Sequence, residues 1–183
     1  MAVLYEDTRQ QVHDGDKHAL KHAWWAAHGI QVERRALPFG DYMREGSNVS
    51  VDTKRSVAEI AQNICGRNHA RFRRECQRAS AEGYRLVVLV ENEEGYAQAE
   101  DVAAWVNAHC RACHKFRKRE CDPLAASSCS RHGTKPPAQG AQVAAAMLTM
   151  AERYGVVFAF CAPKDAGRVI CETLGVDYGD KGD

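Results

Sequence analysis

The run Tyr84-Arg85-Leu86-Val87-Val88-Leu89-Val90-Glu91 constrains this chain more than any other segment. Side chains on a strand alternate between faces, so an unbroken apolar strand must be covered on both. Helices supply that cover in a parallel or mixed sheet. Val156-Val157-Phe158-Ala159-Phe160-Cys161 repeats the pattern as a last strand, while Val3–Glu6 and Gln31–Leu37 read as shorter ones. Helical spacing falls at Ala19–His28 with Trp24 and Trp25, and at Arg67–Glu82, stopped by Gly83. It recurs at Ala99–Asn107, at Gln139–Tyr154 before Gly155, and at Lys164–Leu174. Ser56 is placed as an N-cap, with Glu59 three residues on completing a capping box. These alternations predict an α/β fold, a mixed central sheet flanked by helices. At 183 residues a single domain over 1–183 is expected.

A hairpin is predicted over Gly40–Thr53. Val49 and Val51 alternate with Ser50 and Asp52, the period of a half-buried strand, and Arg44-Glu45-Gly46-Ser47-Asn48 is turn chemistry. On such a strand Asp52 and Lys54 share a face, and Asp41 on the neighbouring strand can converge on it. Two carboxylates and an ammonium around one point suit magnesium-assisted phosphodiester hydrolysis. The carboxylates hold a hard cation and the lysine stabilises or orients the attacking hydroxide. The bland alternative is that Asp41 and Asp52 are solvated hairpin acids and Lys54 an edge lysine that discourages aggregation.

The order of Asp7-Thr8-Arg9, Gly40-Asp41-Tyr42 and Asp52-Thr53-Lys54 resembles the XPF-type (excision-repair) structure-specific nuclease domain, a branch of the PD-(D/E)XK superfamily. The resemblance runs from about Val3 to Asn92 and resumes weakly near Tyr154 to Leu174. Gln10, Thr53 and Ala58 depart from the family pattern, which has glutamate, arginine and an acid there; Glu59 is the nearest substitute for the last. The resemblance implies a restriction-endonuclease-like core and a magnesium-dependent DNA endonuclease, with manganese able to substitute. It implies that Asp41, Asp52 and the carbonyl of Thr53 ligate the metal. Lys54 would stabilise the pentacovalent charge or orient water, and Asp7 and Glu59 would support metal or water from outside. A helix-hairpin-helix module follows the nuclease domain in that family, and a chain ending at Asp183 has no room for one. Either a separate DNA-gripping partner supplies it, the basic insertion replaces it, or the enzyme is less structure-selective than its relatives. A homodimer is the other partner expected, and a stand-alone phage or prophage origin fits such a length. The rival expectation is an inactive nuclease-fold DNA-binding or scaffold protein, supported by the three replaced residues.

Net charge is +1 with a pI near 7.6, so no global basic signal marks a nucleic-acid partner. Locally the picture differs. Lys54, Arg55, Arg67, His69, Arg71, Arg73, Arg74 and Arg78 form a dense basic run, and Arg71, Arg74 and Arg78 share one helical face. That face either meets solvent or, with Arg9, Arg55 and Arg67, contacts DNA phosphates at structured or branched sites. Phe72 and Cys76 fall on another face.

Residues 109–137 form a Cys/His-rich basic insertion, with His109, Cys110, Cys113, His114, Cys121, Cys129 and His132 among lysines and arginines. Cys110-x-x-Cys113 has structural-zinc spacing, whereas Cys121 and Cys129 are set wider. Two readings stay open, a zinc site of these four thiolates and a loosely ordered basic loop. Cys65, Cys76, Cys161 and Cys171 read as small buried hydrophobes, and His13, His18, His22 and His28 as helix or surface histidines. Eight cysteines without an export signal argue for thiols or metal ligands in a reducing cytoplasm. No apolar run of 18 or more residues predicts a membrane span.

Overall fold

A computed structural model describes residues 3–10, 18–125, 129, 131 and 136–178. His13, Ser127, Ser128, His132, Thr134 and Lys135 lie outside the described residues. Six strands form one mixed sheet in the order β2-β1-β3-β4-β5-β6. They are β1 (Leu4–Asp7), β2 (Val32–Arg35), β3 (Tyr42–Arg44), β4 (Val49–Lys54), β5 (Arg85–Glu91) and β6 (Val157–Cys161). β1 pairs with β2, β4 with β5 and β5 with β6 in parallel, while β3 runs antiparallel to β1 and β4. All strands but β3 therefore end at one edge of the sheet. β3 begins there.

β5 is buried on both faces. Leu86, Val88 and Val90 pack into an apolar layer with α2 (Val57–Ile64), α3 (His69–Ala81) and α6 (Gly140–Tyr154). Val87 and Leu89 face a second layer with α1 (Ala19–Ala27) and α7 (Ala166–Leu174). At roughly 25 cal/mol per Å² of apolar surface, two such layers supply most of the favourable free energy of a sheet that exposes neither face of its centre.

Local differences from the sequence expectations have identifiable causes. β4 is not half-buried. Ser50 and Asp52 are buried along with Val51, because β4 sits at the centre of the sheet and α2 and α3 cover its polar face. The segment after Gln98 is a 3₁₀ helix (Ala99–Ala104), capped reciprocally by Gln98 and Asp101 and ended by Trp105 in extended backbone. Ser56 caps α2 by accepting from Glu59 N at 3.2 Å, but Glu59 Oε2 accepts from Arg55 N at 3.0 Å, so the reciprocal half of the box moves one residue back. Trp25 is core, whereas Trp24 is only partly buried and stacks on His28. Cys76 and Cys171 are buried and Cys161 partly so, but Cys65 is exposed, since it caps the C-terminus of α2 where the helix leaves the core.

Candidate functional site

The site opens at the sheet edge where the parallel strands end. A ligand there meets strand termini and loops, not a closed ladder. A cavity of about 530 Å³ at this edge is lined by Asp7, Arg9, Asp41, Asp52, Lys54 and Glu59, with Arg71, Arg74 and Arg78 on its α3 wall. Arg55 also lines it, whereas Arg67 lies exposed in the turn before α3 and does not.

Asp41 is placed by its backbone before its side chain. Its N–H donates to Val51 O at 2.8 Å and its carbonyl accepts from Asp7 N at 2.8 Å, which locks it between β1 and β4. Gly40 makes the approach possible. Its φ is +63°, and a Cβ there would stand 2.4 Å from Ser50 Oγ and 2.8 Å from Val51 O. Asp41 Oδ2 accepts from Thr53 N at 2.8 Å and from Thr53 Oγ1 at 2.6 Å. Asp41 Oδ1 makes no hydrogen bond among the described residues and remains available. Thr53 thus orients this carboxylate.

Asp52 and Lys54 project from the same face of β4, and Lys54 Nζ donates to Asp52 Oδ1 at 2.6 Å. Nζ also stands 2.5 Å from the buried Oδ2, an ionic contact without a hydrogen bond. Burial pushes the Asp52 carboxyl up, to about 7, with Lys54 opposing and Asp41 adding to the rise. Burial works to lower Lys54, but Asp52 and Asp41 outweigh it and its net shift is upward. The two shifts pull the pair in opposite senses, since a raised lysine keeps its charge and a raised carboxyl gives its charge up. Burial of Asp52 is the stronger effect, so its ionised form is held at a cost that one lysine does not offset.

Asp7 is differently placed. Its Oδ1 accepts from Arg9 N at 2.8 Å, and its Oδ2 accepts from Arg9 Nε at 2.8 Å and from the Arg9 Nη2 donor. Both oxygens are engaged by one arginine, which fixes the turn after β1. Glu59 lines the cavity while its carboxylate closes the start of α2.

Several lining residues escape sequence reading. Glu75 faces the cavity from α3, and Lys21 reaches it from α1. Lys21 Nζ donates to Glu91 Oε1 at 2.5 Å, and both residues are buried. One signal for Lys21 exists in the sequence, since it lies four residues before Trp25 and shares the buried face of α1. His22, read as a surface histidine, stands 3.1 Å from the buried Glu6, which Tyr42 OH also approaches at 3.4 Å. Burial and the carboxylates of Glu6 and Asp41 raise the Tyr42 hydroxyl far above its ordinary value, so it stays neutral.

The residues present suit a divalent cation held by oxygen. Asp41 Oδ1 and Asp52 Oδ2, the latter in ionic contact with Lys54, are hard donors, and two carboxylates are what a magnesium site commonly takes from protein. Among the described residues, no three His, Cys, Asp or Glu side chains already stand in ion-holding geometry.

No family model matches this chain, and no curated protein matches it significantly. Solved structures do. XPF from Aeropyrum pernix superposes with a TM-score of 0.54 at 17% identity, covering 93% of this chain and 62% of that one. The same protein in complex with DNA gives 0.54 at 20% identity, covering 96% of this chain and 64% of that one. This chain thus spans a little under two thirds of the length of those structures, and at this identity it is the fold that the likeness establishes: an XPF-like nuclease fold.

Proposed function

We propose that the chain is a divalent-metal-dependent DNA endonuclease that hydrolyses phosphodiester bonds at branched or otherwise structured DNA. One observation carries the reading. Asp41 and Asp52 each keep one carboxylate oxygen without a hydrogen bond, beside Lys54, in a cavity whose opposite wall carries Arg71, Arg74 and Arg78. In this reading Asp41, Asp52 and the Thr53 carbonyl hold magnesium, which when bound lowers the pKa of a water and draws charge from the phosphate. Lys54 balances Asp52 before DNA binds, and its ammonium then meets the charge that builds on the phosphoryl oxygens. Thr53 keeps Asp41 in its rotamer. The α3 arginines hold the backbone by charge, without reading bases. Asp7 acts through the turn that it builds with Arg9, and Glu59 through the start of α2. DNA is the partner, and the XPF structure in complex with DNA supports that choice.

A second reading has one observation in its favour. Both oxygens of Asp7 are occupied by Arg9, and Ala58 supplies no carboxylate, so the outer acids of the site are spent or missing. A nuclease fold that binds DNA without cutting it would look like this.

Incubating labelled branched and linear DNAs with and without magnesium separates the two. Cleavage that requires magnesium, and is lost in Asp41→Asn and Asp52→Asn, is the expected result. The same variants should lose the stabilisation that magnesium gives the wild type, roughly 2–3 kcal/mol at a hundredfold excess over Kd and read as a rise in Tm. Circular dichroism checks that they fold. Undiminished cleavage by either variant refutes the assignment, and DNA binding without cleavage under any divalent metal favours the second reading.

A further inference from the structure

The segment between the 3₁₀ helix and α6 is closed at its neck and hollow above it. Asn107 Nδ2 donates to Ala138 O at 3.2 Å, so the chain leaves and returns at one place. Gly140 packs there against backbone, where a Cβ would meet the carbonyl oxygens of Val102, Ala103 and Trp105 at 2.4–2.7 Å. Beyond the neck stand α4 (Ala108–Arg111) and α5 (His114–Arg117), each four residues long and neither with a buried residue. Helices of that length are not stable alone, and with no residue fully buried, hydrophobic burial contributes little to their order.

The side chains gathered between them offer another source of order. Cys110, Cys113, Cys121 and Cys129 line one cavity of about 290 Å³, and Cys110 lies within electrostatic reach of each of the other three. None of the cysteines is in a disulfide. One of the sulfurs, that of Cys129, accepts a backbone hydrogen bond, from Arg131 N at 3.4 Å. Amide donors of this kind stabilise a sulfur that carries negative charge. Lys115 and Arg131 line the same cavity and would offset the double negative charge that four thiolates leave around a divalent ion.

We propose that Cys110, Cys113, Cys121 and Cys129 form a structural zinc site of four thiolates. The ion belongs to the soft-ligand class, unlike the carboxylate site at the sheet edge. The sulfurs are gathered but not yet closed into ion-holding geometry. Binding therefore draws them together, releases the thiol protons, and supplies the folding free energy that the two short helices lack. This site is independent of the nuclease reading.

The test uses the full chain purified without chelator. Metal analysis should find about one zinc per chain, and cobalt substitution should give thiolate-to-cobalt charge-transfer bands in the near ultraviolet. Cys113→Ser with Cys129→Ser should lose the metal and the bands, whereas Cys65→Ser, at an exposed cysteine outside the cavity, should keep both. Hydrogen exchange covers the case of a poorly folded variant. Chelating zinc from the wild type should speed exchange over residues 108–125 and leave β4 and β5 protected. A chain that carries no zinc and takes up none, or a double serine variant that retains it, overturns the proposal. Cleavage of DNA does not enter these readouts, so failure here and failure of the nuclease reading are distinguishable.

Discussion

Gly40 shows how one residue sets the geometry of the cavity. Its positive φ and the 2.4 Å approach of Ser50 Oγ leave no space for a side chain, and Ser50 Oγ is itself committed to Phe39 O at 2.6 Å. Gly40→Ala should therefore lower the denaturant midpoint at unchanged m by an amount that corresponds to about 1–3 kcal/mol, the range for a residue forced into a sparsely populated backbone region. A variant as stable as wild type would show that the turn can relax without moving Asp41. The neighbouring site residues were unequally legible in sequence. Asp52 and Lys54 are two apart on a strand, so their common face follows from the pleat. The grip of Thr53 on Asp41 follows from no local rule, because it depends on the register between β3 and β4. Lys21 and Glu91 meet across 70 residues of sequence, beyond the reach of any periodicity.

Among the elements, α3 is where periodicity translated most directly into placement. Phe72, Cys76 and Ala79 are buried on one side, and Arg71, Arg74 and Arg78 line the cavity on the other, as a 3.6-residue repeat requires. The guanidinium of Arg78 lies 5.2 Å from the centre of the Phe39 ring and 3.5 Å from Glu82, so part of its role is packing. If these three arginines neutralise phosphates, replacing all three by alanine should weaken binding evenly across DNA sequences. It should also lower the slope of log K against log salt by up to about 3, close to one counterion per lost contact. Fluorescence anisotropy at several salt concentrations measures both. An unchanged slope would make the face a solvated one. By contrast, α4 and α5 were invisible to sequence reading, since four-residue helices carry neither a period nor an apolar stripe.

At the scale of the whole molecule, the fold concentrates its buried charge along the edge where the parallel strands end. Asp7, Lys54 and Glu91 sit there on the last residues of β1, β4 and β5, with Asp52 one turn of the pleat behind and Lys21 reaching in from α1. The centre of the sheet is covered by two apolar layers that the β5 run already demanded, which is why the α/β class could be read from sequence; Asp52 and Lys54 could be read from the pleat, but Lys21 and Glu91 at the same edge could not. Burying an ion pair is seldom a net gain, because desolvation of both charges offsets their attraction, whereas removing one partner strands the other. Lys21 and Glu91, 2.5 Å apart and both buried, should follow that rule. Lys21→Met alone should lower stability by about 3–5 kcal/mol, and adding Glu91→Leu should return it to within roughly 1 kcal/mol of wild type or above it. Thermal and urea unfolding of the two single variants and the double variant give the coupling directly. If the double variant is instead as unstable as the singles, the pair contributes more to the fold than its desolvation costs. If it is stable but binds DNA less tightly than wild type, Lys21 is retained for the cavity that it lines and not for the sheet that it anchors.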